Sequence, residues 1–470
     1  MRPLLCAAAL CFVAAPSFAA TDWGKLETTA AGLRDKALTG SQAYPLLESL
    51  TTEVGQRLAA TEAEHRAALW AVAKMKALGF QNVHIEPFPM PVWTRGEERA
   101  EATAPFEQKL AVTALGRSVA TPPEGIEAEV ALFKTYDDLL AQPEGALKGK
   151  IAVVTQPMVR AQDGEGYGAL VRMRVAGPSE AAKRGAVAYL IRSLATDDRR
   201  APHTGGVDYD PGVARIPAGA LAVPDAEWLD RLTARGQAVR LKLVLTPKLA
   251  PGGQSETVVG EIVGRERPDE IVLIGGHLDS WDLGQGAIDD GAGVAATMAA
   301  AKLIADLPQH PRRTLRVALF GAEEVGETHA PFAKAHAAEL DKHIIASECD
   351  FGATHVYRID LPANAAASPY GKTLANVVAR LPVSVGRGPA RDGGADLEDL
   401  AGVPLAELAQ DGTHYFDLHH TADDTLDKVD AKEMDRLTAA WAVFAYLAAD
   451  SDVDFRAIAK SAAEAPKRRR

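Results

Sequence analysis

Residues 277 to 293 read His-Leu-Asp-Ser-Trp-Asp-Leu-Gly-Gln-Gly-Ala-Ile-Asp-Asp-Gly-Ala-Gly, directly after the apolar run Ile271-Val-Leu-Ile274. Imidazole and carboxylate are ligand types that zinc accepts, and glycines let a chain crowd a small ion without steric cost. Glu323-Glu324, Asp350 and His420 stand in comparable settings, the first two after the apolar runs Thr314 to Phe320 and Ile344-Ile345. In an extended segment successive side chains point to opposite sides, so one of the two glutamates can ligate a metal while its neighbour holds a water. Metal-assisted hydrolysis needs that division: a Lewis acid, plus a carboxylate that takes the water's proton.

Each residue alone has a plainer reading. Asp289 before an Ala-rich helix reads as an N-cap; the glutamate pair reads as surface acid, and a late histidine as structural. The count decides between them. One His, a shared Asp and a further Asp make one site; the shared Asp, a Glu and a second His make another. Such nitrogen and oxygen sites with open positions suit a co-catalytic zinc pair about 3.5 to 4 Å apart.

These residues must be held by a sheet. Thr257 to Val263, Ile271 to Ile274, Thr314 to Phe320 and Ile344 to Glu348 read as strands, and Gly291 to Leu307 and Ala431 to Leu447 as helices. The alternation predicts an α/β fold with a mixed, largely parallel central sheet flanked by helices, its ligands at strand carboxyl ends. Earlier, Tyr44 to Leu78 has helical periodicity, and Asn82 to Trp93 reads as extended despite Pro87, Pro89 and Pro91. From about Arg117 the texture turns to short strands, Ala128 to Phe133 and Lys150 to Thr155 among them, up to a break at Pro251-Gly252-Gly253. The expected organisation is a leader at 1–19, a first catalytic portion at 20–117, an insertion at 118–250, the catalytic domain at 251–456 and a basic tail at 457–470.

Composition narrows the partners. The net charge is -12 over 470 residues, and the one basic cluster is Lys467-Arg468-Arg469-Arg470, so nucleic acid is not an expected partner. Leu4 to Ala15 followed by Pro16-Ser17-Phe18-Ala19 has the pattern of a secretory signal peptide and is too short to span a membrane. An exported protein, periplasmic or secreted, is expected, with no membrane span. Removal of the leader leaves Cys349 as the remaining cysteine, so no intrachain disulfide is expected.

Gly-Gly-His277-Leu-Asp279, the run Ala-Ile-Asp289-Asp290-Gly, Ala-Glu323-Glu324, Ser-Glu-Cys-Asp350 and His420-Thr-Ala-Asp-Asp-Thr together closely resemble the co-catalytic di-zinc aminopeptidase and carboxypeptidase family. The resemblance spans nearly the whole mature chain and includes the segment Leu50 to Leu58. It implies a zinc exopeptidase fold with an inserted protease-associated domain, and two zinc ions per chain. His277, Asp289 and Asp350 would hold one ion, and Asp289, Glu324 and His420 the other. Glu323 matches the general base, and Asp279 the carboxylate that orients the histidine ligand. A non-proline cis peptide is implied at Asp289-Asp290.

The implied reaction is hydrolysis of dipeptides or short peptides, with a free substrate amine as a further ligand. Homodimers occur among such relatives, so self-association is an open expectation. Two alternatives are a single-zinc acyltransferase of the glutaminyl cyclase type and a non-catalytic binding protein. The presence of all five ligands and Glu323 argues against both. Cys349 replaces a serine common before the Asp ligand, and a buried neutral thiol is the expected role. His419, His414 and Tyr415 lie on the approach to the site, Asp396 lies near it as a non-ligand, and His310 and His336 are expected on solvated helix ends. No substrate-binding residue is identifiable.

Overall fold

The structure, a computed structural model, describes residues 20–326, 329–391 and 393–464. The leader at 1–19 and the Lys467 to Arg470 cluster lie outside the described residues.

Period-two alternation builds the central sheet. In the strands Arg267–His277 and Arg313–Phe320, Val272, Ile274, Leu315, Val317 and Leu319 pack into one hydrophobic cluster, while Leu273, Ala318 and Phe320 pack into another on the opposite face. A strand buried on both faces needs apolar residues at nearly every position; Arg316, which interrupts the second run, is paired with Glu261 and Glu339. Five strands lie in the order Gln81–Thr94, Lys248–Ile262, Arg313–Phe320, Arg267–His277, His343–Glu348. The last three are mutually parallel, and the first two pair antiparallel. The sheet is therefore mixed, and the expected largely parallel character is confined to the three strands that end at the site.

Two elements are longer or shorter than the sequence suggests. Pro251-Gly252-Gly253, expected as a domain break, lies inside the strand Lys248–Ile262, which runs on as a two-stranded ribbon with Gln81–Thr94. Gly252 takes a φ of +82°, and the register shifts between Met90 and Val92 absorb the irregularity. Pro87, Pro89 and Pro91 are tolerated because their strand is at the sheet edge, where one side needs no donor. The region 44 to 78 is two helices, Ala43–Glu53 and Glu62–Ala77, with a loop between them that carries Arg57.

The Ala-rich helix Ala292–Ala305 is almost wholly buried, between the sheet and the helices Ala431–Asp450 and Ala43–Glu53. Its small side chains permit close approach. A Cβ at Gly293 would stand 1.8 Å from the Cys349 carbonyl oxygen, so only glycine fits where this helix meets the strand end.

The second module is an eight-stranded sheet in the order Gln108–Leu110, Glu98–Ala104, Arg240–Leu245, Ile126–Phe133, Ile151–Val154, Ala188–Arg192, Ala218–Leu221, Val112–Ala114. It begins at Glu98, earlier than the boundary expected at 117. Strands as short as Gln108–Leu110 and Val112–Ala114, built from small and charged residues, carry almost no periodic signal; their pairing partners define them. At the other end, the boundary at 457 falls within a helix, Phe455–Glu464. Phe455 is fully buried and Arg456 donates to the Gly402 and His343 carbonyls, so the start of this helix is docked on the domain before the expected tail begins. A three-stranded sheet in the order Ser384–Pro389, Val356–Leu361, Glu407–Gln410 completes the fold. Among the described residues, no helix is long and apolar enough to cross a membrane.

Candidate metal centre

His277 ends its strand, Asp289 sits in the turn before the Ala-rich helix, and Glu323-Glu324 and Asp350 follow the two neighbouring parallel strands. Parallel strands deliver their carboxyl ends to one edge, which brings these residues together. His420 arrives from a loop, with φ +63°. The Asp289-Asp290 peptide is cis.

Asp289 lies between the two histidines. Its Oδ1 is 3.2 Å from His277 Nε2 and its Oδ2 is 3.2 Å from His420 Nε2. His277 Nε2 is also 3.6 Å from Asp350 Oδ1 and 4.0 Å from Glu323 Oε2. On the other side, His420 Nε2 is 2.8 Å from Glu324 Oε2. All five residues expected as ligands thus converge, as does Glu323. Compact ligand groups form around His277, Asp289 and Glu324, around His277, Asp290 and Asp350, and around Asp289, His419 and His420.

Electrostatics and hydrogen bonding define the donor set. Burial disfavours the charged imidazole of His277, yet Asp350 and hydrogen bonds with Asp279 and Asp289 carry its pKa well above the ordinary range. Burial would raise the Asp289 carboxyl, but bonds with His277 and His420 hold it well below. Glu323 is pushed well above by burial, against the pull of His277, and Glu324 to about 7 by burial and by Asp289. Among the described residues, the buried oxygens Asp350 Oδ1 and Asp279 Oδ2 have no hydrogen-bond partner. Buried carboxylates are normally paired or bound to metal. Unsatisfied acceptors facing imidazole nitrogens are the donor set that a divalent cation such as zinc fits.

The supporting contacts fix both histidines. His277 Nδ1 lies 3.0 Å from the Asp279 carbonyl oxygen and 3.6 Å from Asp279 Oδ1. Asp279 Oδ1 also accepts from the Glu323 backbone N–H at 3.0 Å, coupling the two segments. His420 Nδ1 lies 3.2 Å from the Thr204 carbonyl oxygen of the second module, and the Thr204 N–H donates to the His420 carbonyl. A ring nitrogen that donates to a carbonyl leaves the other nitrogen's lone pair aimed at the metal.

Several residues without an assigned role acquire one. Asp290 accepts from the His277 and Gly293 N–H groups at 3.0 Å each, joining the strand end to the helix start. Asp282 pairs with Arg95 at 2.7 Å, which also donates to Thr113 and Thr204 of the second module. Asp396 donates its backbone N–H to Glu348 and is not among the ligand groups. Cys349 is buried and donates to Gln410 Oε1 at 3.4 Å, and burial pushes its thiol pKa well up. His336 departs from expectation: it is buried between Glu86 and Glu339, because the ribbon strand covers that helix end.

A cavity of about 400 Å³ opens on the cluster, within the ordinary range for a small-molecule site. Tyr415 and His419 line it, whereas His414 faces solvent against Asp417. Its far wall comes from the second module and was not legible in the sequence: Tyr167, Arg174 and Val207, with Arg117. Arg174 is 8 % exposed and its contacts are neutral, Nε donating to the Gly206 carbonyl at 3.2 Å and Nη1 to Tyr167 Oη at 2.6 Å. A Cβ at Gly205, whose φ is +134°, would stand 2.2 Å from Arg174 Nη1, so the glycine makes room for the guanidinium.

A sheet that gathers buried imidazoles and carboxylates at its carboxyl edge, beneath a peptide-sized cavity, defines the class as metallopeptidase, and the relatives agree. Peptidase family M28 matches residues 257–445. Carboxypeptidase Q of Mus musculus is 38 % identical over 88 % of this chain and 86 % of that one. The solved structure of a peptidase M28 precursor from Shewanella amazonensis SB2B superposes with a TM-score of 0.90 at 45 % identity, covering 92 % of this chain and 98 % of that one. A zinc aminopeptidase from Bacillus subtilis has a similar fold, with a TM-score of 0.63 at 19 % identity over 88 % of this chain and 96 % of that one. The chain belongs to peptidase family M28.

Proposed function

We propose that this chain is an exported di-zinc exopeptidase that hydrolyses dipeptides or short peptides with a free N-terminus. The carrying observation is Asp289, whose two oxygens each face a different histidine at 3.2 Å. His277, Asp289 and Asp350 would hold one zinc; Asp289, Glu324 and His420 would hold the other. Bound there, the ions supply Lewis acidity and make water available as hydroxide near neutral pH.

The chain's own residues do the rest. Glu323 accepts the water's proton and returns it to the leaving amine. Asp279 positions Glu323 through its backbone N–H and His277 through its ring. The eight-stranded module would be the protease-associated domain, closing the cavity with Arg174, which offers a short peptide's carboxylate a charge-assisted partner. Self-association as a homodimer belongs to the same reading and is checked by light scattering.

Zinc per chain, measured together with turnover on dipeptides with free and blocked termini, tests the proposal. Two ions, chelator-sensitive hydrolysis and loss of turnover on blocking the amine are the expected results. One tightly bound ion without dipeptide hydrolysis overturns it in favour of acyl transfer of the glutaminyl cyclase type.

A further inference from the structure

Arg57 is fully buried, a rare state for a guanidinium. Buried arginines are usually paired with a carboxylate; the hydrogen-bond partners of this one are main-chain carbonyls. Nε donates to the Leu278 oxygen at 2.6 Å, Nη1 to the Gly55 oxygen at 2.9 Å and the Gln285 oxygen at 2.7 Å, and Nη2 to the Gly286 oxygen at 2.9 Å. Its own backbone N–H donates to Ser280 Oγ at 3.1 Å, and its carbonyl accepts from the Ser280 N–H at 3.2 Å.

Leu278, Ser280, Gln285 and Gly286 all lie in the loop that joins His277 to Asp289. A loop of this kind has few hydrogen-bond partners of its own, and its glycines allow many shapes. Arg57, from a loop between two helices far earlier in the chain, clamps both ends of it. Gly286 fits the clamp, since a Cβ there would stand 2.7 Å from Arg57 Nη2 and 2.4 Å from the Ser280 Cβ. Asp424 closes the remaining side, with Oδ1 accepting from the Ala287 and Ile288 N–H groups at 2.8 and 2.7 Å.

The charge has a counterpart as well. The carboxylates that act on the guanidinium are Asp424, Asp279, Asp290 and Asp289, all buried at the metal centre. A fixed cation behind buried carboxylates steadies them without metal but also repels a divalent ion, so any gain in zinc affinity from Arg57 comes from the loop geometry it imposes.

We propose that Arg57 is a positioning residue for the metal centre: it holds the loop between His277 and Asp289 in its metal-binding shape, so that zinc affinity depends on it. This rests on the di-zinc reading.

Competition titration against a zinc chelator, with thermal unfolding of the metal-free and zinc-loaded full chain, tests it in wild type, Arg57→Gln and Arg57→Lys. Zinc affinity should fall roughly 10- to 100-fold in Arg57→Gln, the range typical for residues that support metal ligands. Arg57→Lys, which keeps the charge but loses the planar fork, should weaken zinc binding as well. The gain in Tm on loading zinc should shrink in both variants. Equal losses of Tm in both states with unchanged zinc affinity overturn the proposal, since a merely structural arginine gives that result. Should Arg57→Gln not fold, Arg57→Lys carries the test instead: weakened zinc binding supports the proposal and wild-type affinity overturns it. A wild-type chain that takes up no zinc overturns the di-zinc reading and this proposal together, an outcome distinct from a loss specific to the variants.

Discussion

His277 and His420 face the same aspartate at the same distance, yet they are held in opposite ways. His277 Nδ1 meets the carbonyl of Asp279, two residues on, and its N–H meets Asp290 in the same loop. His420 Nδ1 meets the carbonyl of Thr204, 216 residues away in the second module. Its ring stacks on His419 at 3.4 Å between centroids, and the edge of Trp281 lies 5.8 Å away. One half of the centre is built by a strand and its own turn. The other half exists only when two modules dock, with Arg95 binding Asp282 on one side and Thr204 on the other. The second module is thus part of the metal centre as well as a wall of the cavity.

The largest effect should come from the proposed general base. Glu323→Gln should lower kcat by roughly 10²- to 10⁴-fold, the usual worth of a general base, with the zinc content intact by elemental analysis. Wild-type turnover with both ions bound would remove Glu323 from the mechanism.

The comparison itself is broken or sharpened by a pair of variants. Thr204→Pro removes the N–H that donates to the His420 carbonyl. It should weaken one zinc roughly 10- to 100-fold and leave the other near wild type, giving two separated steps in a chelator titration. Asp279→Asn should do the reverse, through His277, and also misplace the Glu323 amide. Equal weakening of both ions by either variant would show that the halves are not independently supported.

The cavity wall gives a smaller effect. Arg174→Gln should raise KM for peptides with a free carboxylate by about tenfold or more, as a lost charge-assisted bond would. C-terminally amidated peptides should be indifferent, and equal KM changes for both would take Arg174 out of substrate recognition.

The smallest effect lies outside both halves and serves as a control. Burial, aided by Arg316 against the Glu339 carbonyl, lowers the His343 pKa from 6.5 to about 4. The unfolded chain therefore binds this proton between those values and the folded chain does not. His343 contributes stability fully above pH 6.5 and loses it as pH falls toward 4, at about 1 kcal/mol per pH unit. Denaturant unfolding at pH 6.5 and 5.5 should show a smaller difference in His343→Gln than in wild type. An unchanged difference would mean that His343 does not titrate as its burial implies.

Legibility in the sequence follows the same division. The strand 271 to 274, its loop, the Ala-rich helix and the glutamate pair were readable because each is a local pattern of burial and ligand type. The membership of Glu98–Ala104 and Gln108–Leu110 in the eight-stranded sheet was not, since these strands are short and lack an apolar stripe. Pro251-Gly252-Gly253 looked like a boundary because proline and glycine usually end elements, but a sheet-edge ribbon tolerates both. Arg174 and Thr204 carry no signal of their own: an arginine and a threonine gain meaning only from what they face.

Residue types alone determined that this chain carries candidate ligands and a candidate base for metal-assisted hydrolysis, and period-two runs determined which strands would present most of them. Tertiary structure decided that Asp289 stands between His277 and His420, that Arg57 clamps the loop between His277 and Asp289, and that a second sheet supplies both the rest of the cavity and the carbonyl behind His420. The physical reason is range. Burial and ligand chemistry are written residue by residue, whereas main-chain carbonyls are identical at every position and are selected only by docking.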